Sequence, residues 1–204
     1  MKKIKVIASL LLLLLAGSVL FSQNLVPNPR FETLKSSSAD YVYRNPQMEC
    51  YNKGCPDMAY LNRYSQAENW TLWLGSLLHG ACVMTELVKP GANCVPVDAR
   101  GALSGNLMHV KTTHGGSGIV NGQIPAGNAR VKISAWVYAV KGKVYMGYGP
   151  TGSSVVSTTS KLSCRWEKLE IVKTGSESCN QIIFYSENSG DAEFYVGNIS
   201  IEKF

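Results

Sequence analysis

The sequence contains no Cys-x-x-Cys pair, and past its first few residues no block of like charges. The first absence removes the common zinc spacing. The second removes the basic stripe expected of a nucleic-acid binder, so no nucleic-acid partner is expected. The GGSG at 115–118 leads into neither a Lys-Ser/Thr ending nor a helix, and is therefore no phosphate cradle. Histidine is scarce: His79, His109 and His114 are the only three. None stands at a spacing from a cysteine or carboxylate that marks a nucleophile, a general base or a metal ligand, and they read as surface or turn residues. The 14 acidic residues include Glu167, Glu170, Glu177, Glu187, Glu193 and Glu202, which look like strand-edge and turn charges. A glycosidase needs two carboxyls facing one cleft, and no such pair stands out. The chain reads as non-catalytic.

The amino terminus, MKKIKVIASLLLLLLAGSVLFSQ, carries three lysines before an apolar run from Val6 to about Phe21, followed by small residues. That order is a secretory signal, and the run is short for a membrane span. Cleavage is expected after Ser22, with Ser18 as the rival site. The absence of a nearby cysteine gives no indication of a lipid anchor. Residues 1–22 are thus read as signal, and 23–204 as one exported domain with no further membrane span. Removing Lys2, Lys3 and Lys5 leaves 17 basic against 14 acidic residues, so the net charge of +6 falls to +3. About 180 residues suit a single core.

All six cysteines (Cys50, Cys55, Cys82, Cys94, Cys164 and Cys179) lie in the exported part, where disulfides are expected. Local closure favours Cys50–Cys55 and Cys82–Cys94. Cys164 and Cys179 each precede a strand. If those strands are antiparallel, their starts lie at opposite ends, too far apart for a bond. Either one is then free to pair with the Cys50–Cys94 region.

No apolar stripe at helical spacing follows residue 80. Short segments rich in β-formers follow one another instead: 119–124, 131–140, 144–148, 154–157, 166–172, 181–185 and 194–202. Turn residues separate them (PAGN, KGK, GPTG, KTGSES, ENSGD). Earlier candidates are 69–78, 82–87 and 106–110. Asn24 to Glu32 reads as a short extended segment punctuated by Pro27 and Pro29. Residues 33–105 hold four of the six cysteines and read as a loop-rich insertion. The pattern predicts an all-β, two-sheet antiparallel sandwich.

The clearest segment is VKISAWVYAV, 131–140. Val131, Ile133, Ala135, Val137 and Ala139 fall on one face; Lys132, Ser134, Trp136, Tyr138 and Val140 fall on the other. One face suits a core. The other offers two aromatics beside polar groups, either to a ligand or to the covering insertion. Trp70 and Leu72 share one face of their segment, Thr71 and Trp73 the other. Trp70 and Trp166 are assigned to the core, Trp166 because it opens a strand just after a turn.

Taken together, NLVPNPRFE, GSGIVNGQIPAG, VKISAWVYAVKGKVYMGYGPTG, WEKL at 166–169 and FYVGNISIE resemble, in order, the bacterial carbohydrate-binding modules appended to xylanases and glucanases. The resemblance implies a galactose-binding-like jelly roll that binds a polysaccharide or glycan without performing chemistry, as a lectin-like component. Aromatic rings then stack on the apolar faces of the sugar, while polar side chains meet its hydroxyls. Ligand contacts are expected at Trp136 and Tyr138, with Trp73 and Tyr148 as further candidates. Tyr145 and Tyr148 fall on opposite faces of their strand, so at most one joins the same surface. The family often holds a structural calcium through the Glu of its opening Phe-Glu pair, here Glu32, and an Asp in the last strand. Gly197 stands in place of that Asp, which removes a charged oxygen ligand. No other cofactor is implied. A second reading keeps the same sandwich as an extracellular structural or adhesive domain with protein partners and no sugar site. A small hydrolase ranks third.

Overall fold

The computed structural model describes residues 23–34, 67–74, 83–91, 97, 103–113, 115–187 and 190–204. Ten strands lie within these residues: β1 (Thr71–Leu74), β2 (Val83–Val88), β3 (Leu107–Thr112), β4 (Ser117–Asn121), β5 (Val131–Lys141), β6 (Val144–Gly149), β7 (Val156–Thr159), β8 (Trp166–Lys173), β9 (Gln181–Ser186) and β10 (Ala192–Lys203). Each segment read as a strand from residue 106 onward is one, with its ends moved by a few residues. β1 and β2 occupy part of the 33–105 stretch, much of which lies outside the described residues. So do residues 1–22.

All pairings are antiparallel. β3 pairs with β10, β4 with β9, β5 with β8 and β6 with β7, a nested set. This is a long hairpin rolled over on itself, the jelly roll. Closure gives two five-stranded sheets, ordered β1-β4-β9-β6-β7 and β2-β3-β10-β5-β8. Between them lies an apolar layer in which β5 contributes Val131, Ile133, Ala135, Val137 and Ala139. Opposite it, β6 and β9 contribute Val144, Met146, Ile182 and Phe184. Alternation with a period of two puts every second residue of each strand into this layer, and burial of these groups drives the sheets together.

The opening segment differs from expectation. Residues 24–32 form bends and turns and no strand. Asn28 and Phe31 take positive φ values of 49° and 53°, which breaks an extended run. The segment lies against β10 through a Leu25 amide bond to the Ile201 carbonyl at 2.9 Å, and through Asn24. Phe31 and Trp70 are both buried, with ring centroids 5.0 Å apart. The Trp70 indole donates to the Asn28 carbonyl at 3.1 Å. Trp70 is therefore in the core, as its pattern predicts, and it anchors the start of β1.

The disulfide expectation is corrected at two of six positions: Cys164 and Cys179 are free thiols, the first exposed and the second buried. Their strands lie in different sheets. Cys164 bonds to Ala139 near the end of β5, whereas Cys179 bonds to Gly127 before its start. At about 3.4 Å per residue, the length of β5 sets them on the order of 30 Å apart, far beyond disulfide reach. Cys50, Cys55, Cys82 and Cys94 lie outside the described residues. Among those described, no helix is long and apolar enough to cross a membrane.

Candidate functional site

Both sheets carry aromatic residues on their outer surfaces. On the sheet containing β5, Trp136 and Tyr138 point away from the core and are half-buried, as their alternation predicts. The register sets Glu86, His109, Tyr195, Tyr138 and Trp166 side by side across all five strands. Tyr138 meets Trp166 and Tyr195 edge-on, with centroids 5.4 and 6.1 Å apart, and His109 stacks on Tyr195 at 4.3 Å. Leu107 is fully buried beneath this surface, and Val88, Leu103 and Val140 pack with it. These rings form a small hydrophobic cluster of their own, in which edge contacts take up ring faces.

One end of that row is charged. His109 keeps only 11% of its side chain exposed and lies between two carboxylates, Glu193 at 2.8 Å and Glu86 at 3.6 Å. Lys111 reaches Glu193 at 3.3 Å. Burial pushes the Glu193 carboxyl up, but the hydrogen bonds from His109 and Lys111 outweigh it and hold the group below its ordinary range. Tyr195 is pushed up, first by burial and then by the negative charges of Glu193 and Glu86. The sequence places His109 at the surface or in a turn; it stands on the outer face of β3, and its two carboxylate neighbours are what the sequence does not show. The alternation of LMHVKT was the available signal, since Met108, Val110 and Thr112 are buried and turn His109 and Lys111 outward.

Trp166 corrects a core assignment. Leu169, Ile171 and Lys173 face inward, so Trp166 shares the outer face with Lys168, Glu170 and Val172. Parity along WEKLEIVK decides its position, and the preceding turn does not.

On the other sheet the register aligns Trp73, Gly118, Tyr185, Tyr145 and Thr159 across five strands. The Tyr145 and Tyr185 rings stack at 5.3 Å and 21°. All three aromatics are half-buried. Gly118 brings no side chain between Trp73 and Tyr185, whose strands lie about 9–10 Å apart, two strand spacings. The next row passes through Gly147, where a side chain would strike Ser154 at 2.9 Å. Its absence lets the segment 151–155 fold down beside Tyr185. That segment is fixed by the Gln181 side chain donating to the Ser153 carbonyl at 2.9 Å and by Asn180 donating to Thr151 at 3.0 Å. Lys143 and Glu187 form an ion pair at 3.8 Å on the row's other side, two residues along from Tyr145 and Tyr185. Trp73, Tyr185 and Tyr145 thus share one outer face, with the hydroxyls of the 151–155 segment on one side of their row and the Lys143–Glu187 pair on the other. Tyr145 and Tyr185 were not on the expected contact list, although their alternation with buried Val144, Met146 and Phe184 marks them as outward.

The four expected contacts therefore do not converge. Trp136 and Tyr138 lie on one outer face and Trp73 lies on the other. Tyr148 belongs to neither: it is 0% exposed, inside the core, and its hydroxyl donates to the Cys179 carbonyl at 3.3 Å. Burial, with a smaller contribution from Cys179, pushes its phenol far up. Its removal from the contact list follows from β6 parity, because Tyr148 shares the inward face with Val144 and Met146.

The residues described do not fit a carboxylate calcium site. Glu32 is exposed and lies against Gly105. A Cβ at Gly197 would meet the Leu107 side chain at 2.5 Å, so apolar packing occupies the space an aspartate needs. Among the described residues no three His, Cys, Asp or Glu side chains converge on a metal position.

No protein-family model matches the sequence, and no curated protein matches it. Solved structures do match in fold. A CBM4 structure is 11% identical, with 88% of this chain and 99% of that chain covered and a TM-score of 0.50. A family 11 carbohydrate-binding module from Clostridium thermocellum, solved with a β-1,3-1,4-mixed-linked tetrasaccharide, is 20% identical over 67% of this chain and 89% of its own, with a TM-score of 0.47. The CBM22-1–GH10 modules of xylanase 10B from Clostridium thermocellum, complexed with xylohexaose, are 14% identical over 61% and 26%, with a TM-score of 0.42. At these identities the likeness is one of fold: the chain has the jelly-roll sandwich found in carbohydrate-binding modules.

Proposed function

We propose that this protein is an exported, non-catalytic module that binds a polysaccharide on the outer face of the β1-β4-β9-β6-β7 sheet. Trp73, Tyr185 and Tyr145 supply ring surfaces, and the 151–155 segment, Thr159, Lys143 and Glu187 supply polar contacts. The observation that carries this reading is the in-register row with Gly118 between an indole and a stacked tyrosine pair. A sugar is apolar on its ring faces and polar around its edge, and this face offers both kinds of surface in the matching order. The opposite sheet is the weaker choice for a long chain, because its rings are turned edge-on into one another. Export rests on the signal-like first 22 residues.

Affinity electrophoresis against a polysaccharide panel that includes mixed-linkage β-glucan and xylan tests the proposal. Retardation by at least one polymer is expected, with no release of reducing sugar. Tyr145→Ala and Tyr185→Ala each weaken binding by about tenfold, since an aromatic contact is worth about 0.5–1.5 kcal/mol beyond its area. Retardation by none of the polymers contradicts the reading. Concentration-dependent self-association in its place favours the adhesive alternative.

A further inference from the structure

Where β3 and β5 end and β10 begins, at the margin of the other sheet, lies a cleft of about 450 Å³ that the platform described above does not use. Met84, Lys111, Thr112, Lys141, Asp191 and Glu193 line it. Two ion pairs cross this lining, Lys141 to Asp191 at 2.6 Å and Lys111 to Glu193 at 3.3 Å. Two ammoniums thus balance two carboxylates, so the lining selects neither an anion nor a cation. Paired charges offer donors and acceptors side by side, and a sugar hydroxyl both donates and accepts. Met84 adds an apolar wall, and the volume lies within the range of small-molecule sites. The carboxylates are held ionised as acceptors: hydrogen bonds from His109 and Lys111 outweigh burial at Glu193, and the hydrogen bond from Lys141 lowers Asp191.

The cleft is continuous with aromatic surface. Glu193 bonds to His109, His109 stacks on Tyr195, and Tyr195 meets Tyr138. Trp136 and Trp166 lie further along the same face. A polar pocket thus opens onto an aromatic strip.

We propose that this cleft is a second saccharide site, which takes one neutral sugar unit at the end of a glycan chain. The protein then holds two glycan chains, one at each sheet, and bridges them. This rests on the reading that the protein binds glycans at all, and the test separates the two.

The test is a calorimetric titration of the exported chain, residues 23–204, with a short neutral oligosaccharide of a polymer that binds. Three proteins are compared: wild type, the double variant Lys141→Ala/Asp191→Ala, and the double variant Tyr145→Ala/Tyr185→Ala. Lys141 and Asp191 are 61% and 54% exposed, so their removal leaves the melting temperature close to wild type. The expected stoichiometry is two for wild type and one for each variant. Cross-linking of polymer, read as a viscosity rise, is lost in both. A wild-type stoichiometry of one that the tyrosine variant abolishes overturns the cleft and keeps the platform. Single-site binding that survives the tyrosine variant and fails in Lys141→Ala/Asp191→Ala keeps the cleft and overturns the platform. No oligosaccharide binding by any of the three proteins overturns both.

Discussion

Tyr145 and Tyr148 stand three residues apart on β6 and face opposite ways. Tyr148 fills the core and ties its hydroxyl to Cys179, whereas Tyr145 stacks on Tyr185 outside. Tyr148→Phe is expected to lower unfolding free energy by about 0.5–1.5 kcal/mol through the lost hydrogen bond. Tyr148→Ala should cost about 3–5 kcal/mol through the cavity. Urea denaturation measures both, and neither variant should change glycan affinity once folded. Charge gives a pH dependence at the same scale. The Glu193 carboxyl is depressed, so its stabilisation is present above the ordinary carboxylate value of about 4.3 and is lost as pH falls through the folded value. Tyr148 and Tyr195 are raised, so their contribution is intact below the ordinary phenol value of about 10 and lost as pH rises beyond it. Melting temperatures between pH 3 and 11 should fall at both ends. Glu193→Gln flattens the acid limb; an unchanged acid limb in that variant removes the role assigned to Glu193.

At the scale of the strand, parity was the readable signal and position after a turn was not. VKISAWVYAV divides into a core face and an aromatic face as its letters suggest. The same rule applied to WEKLEIVK puts Trp166 outside, and applied to LMHVKT it puts His109 beside Lys111. What parity withholds is the neighbour. Glu86, His109 and Glu193 are far apart in sequence and meet only because β2, β3 and β10 pair in that register. Trp73 and Tyr138 have the same outward character, yet pairing places them on different sheets. Gly197 carries an element-scale prediction. Gly197→Asp forces the Leu107 side chain to move and should cost about 1–3 kcal/mol, the usual effect of overfilling a packed site. Its melting temperature should be the same in calcium and in chelator. A rise with calcium in this variant contradicts the apolar assignment of that space.

At the scale of the molecule, the described strands form a nested antiparallel hairpin folded into two sheets, with aromatics on both outer faces. The all-β, two-sheet class was readable from alternation and turn chemistry. The pairing order was not, because nesting joins β3 to β10 and β4 to β9 across most of the domain. The cysteines follow from this topology: Cys164 and Cys179 sit at opposite ends of β5 and remain free. Burial also raises the Cys179 thiol, which withdraws the reactive thiolate. Iodoacetamide is therefore expected to modify Cys164 in the folded protein and Cys179 only after denaturation, read by peptide mass spectrometry. Equal labelling of both in the native state contradicts that placement.

The four tryptophans sample the molecule evenly for the central claim. Trp73 lies on the proposed platform, Trp70 in the core, and Trp136 and Trp166 on the opposite face. Their indole N–H signals in a proton–nitrogen correlation spectrum, followed during titration with a bound polysaccharide's oligomers, report each place separately. The account predicts a saturable shift of the Trp73 signal with Trp70 unmoved. Saturable glycan binding with Trp73 unmoved would contradict it.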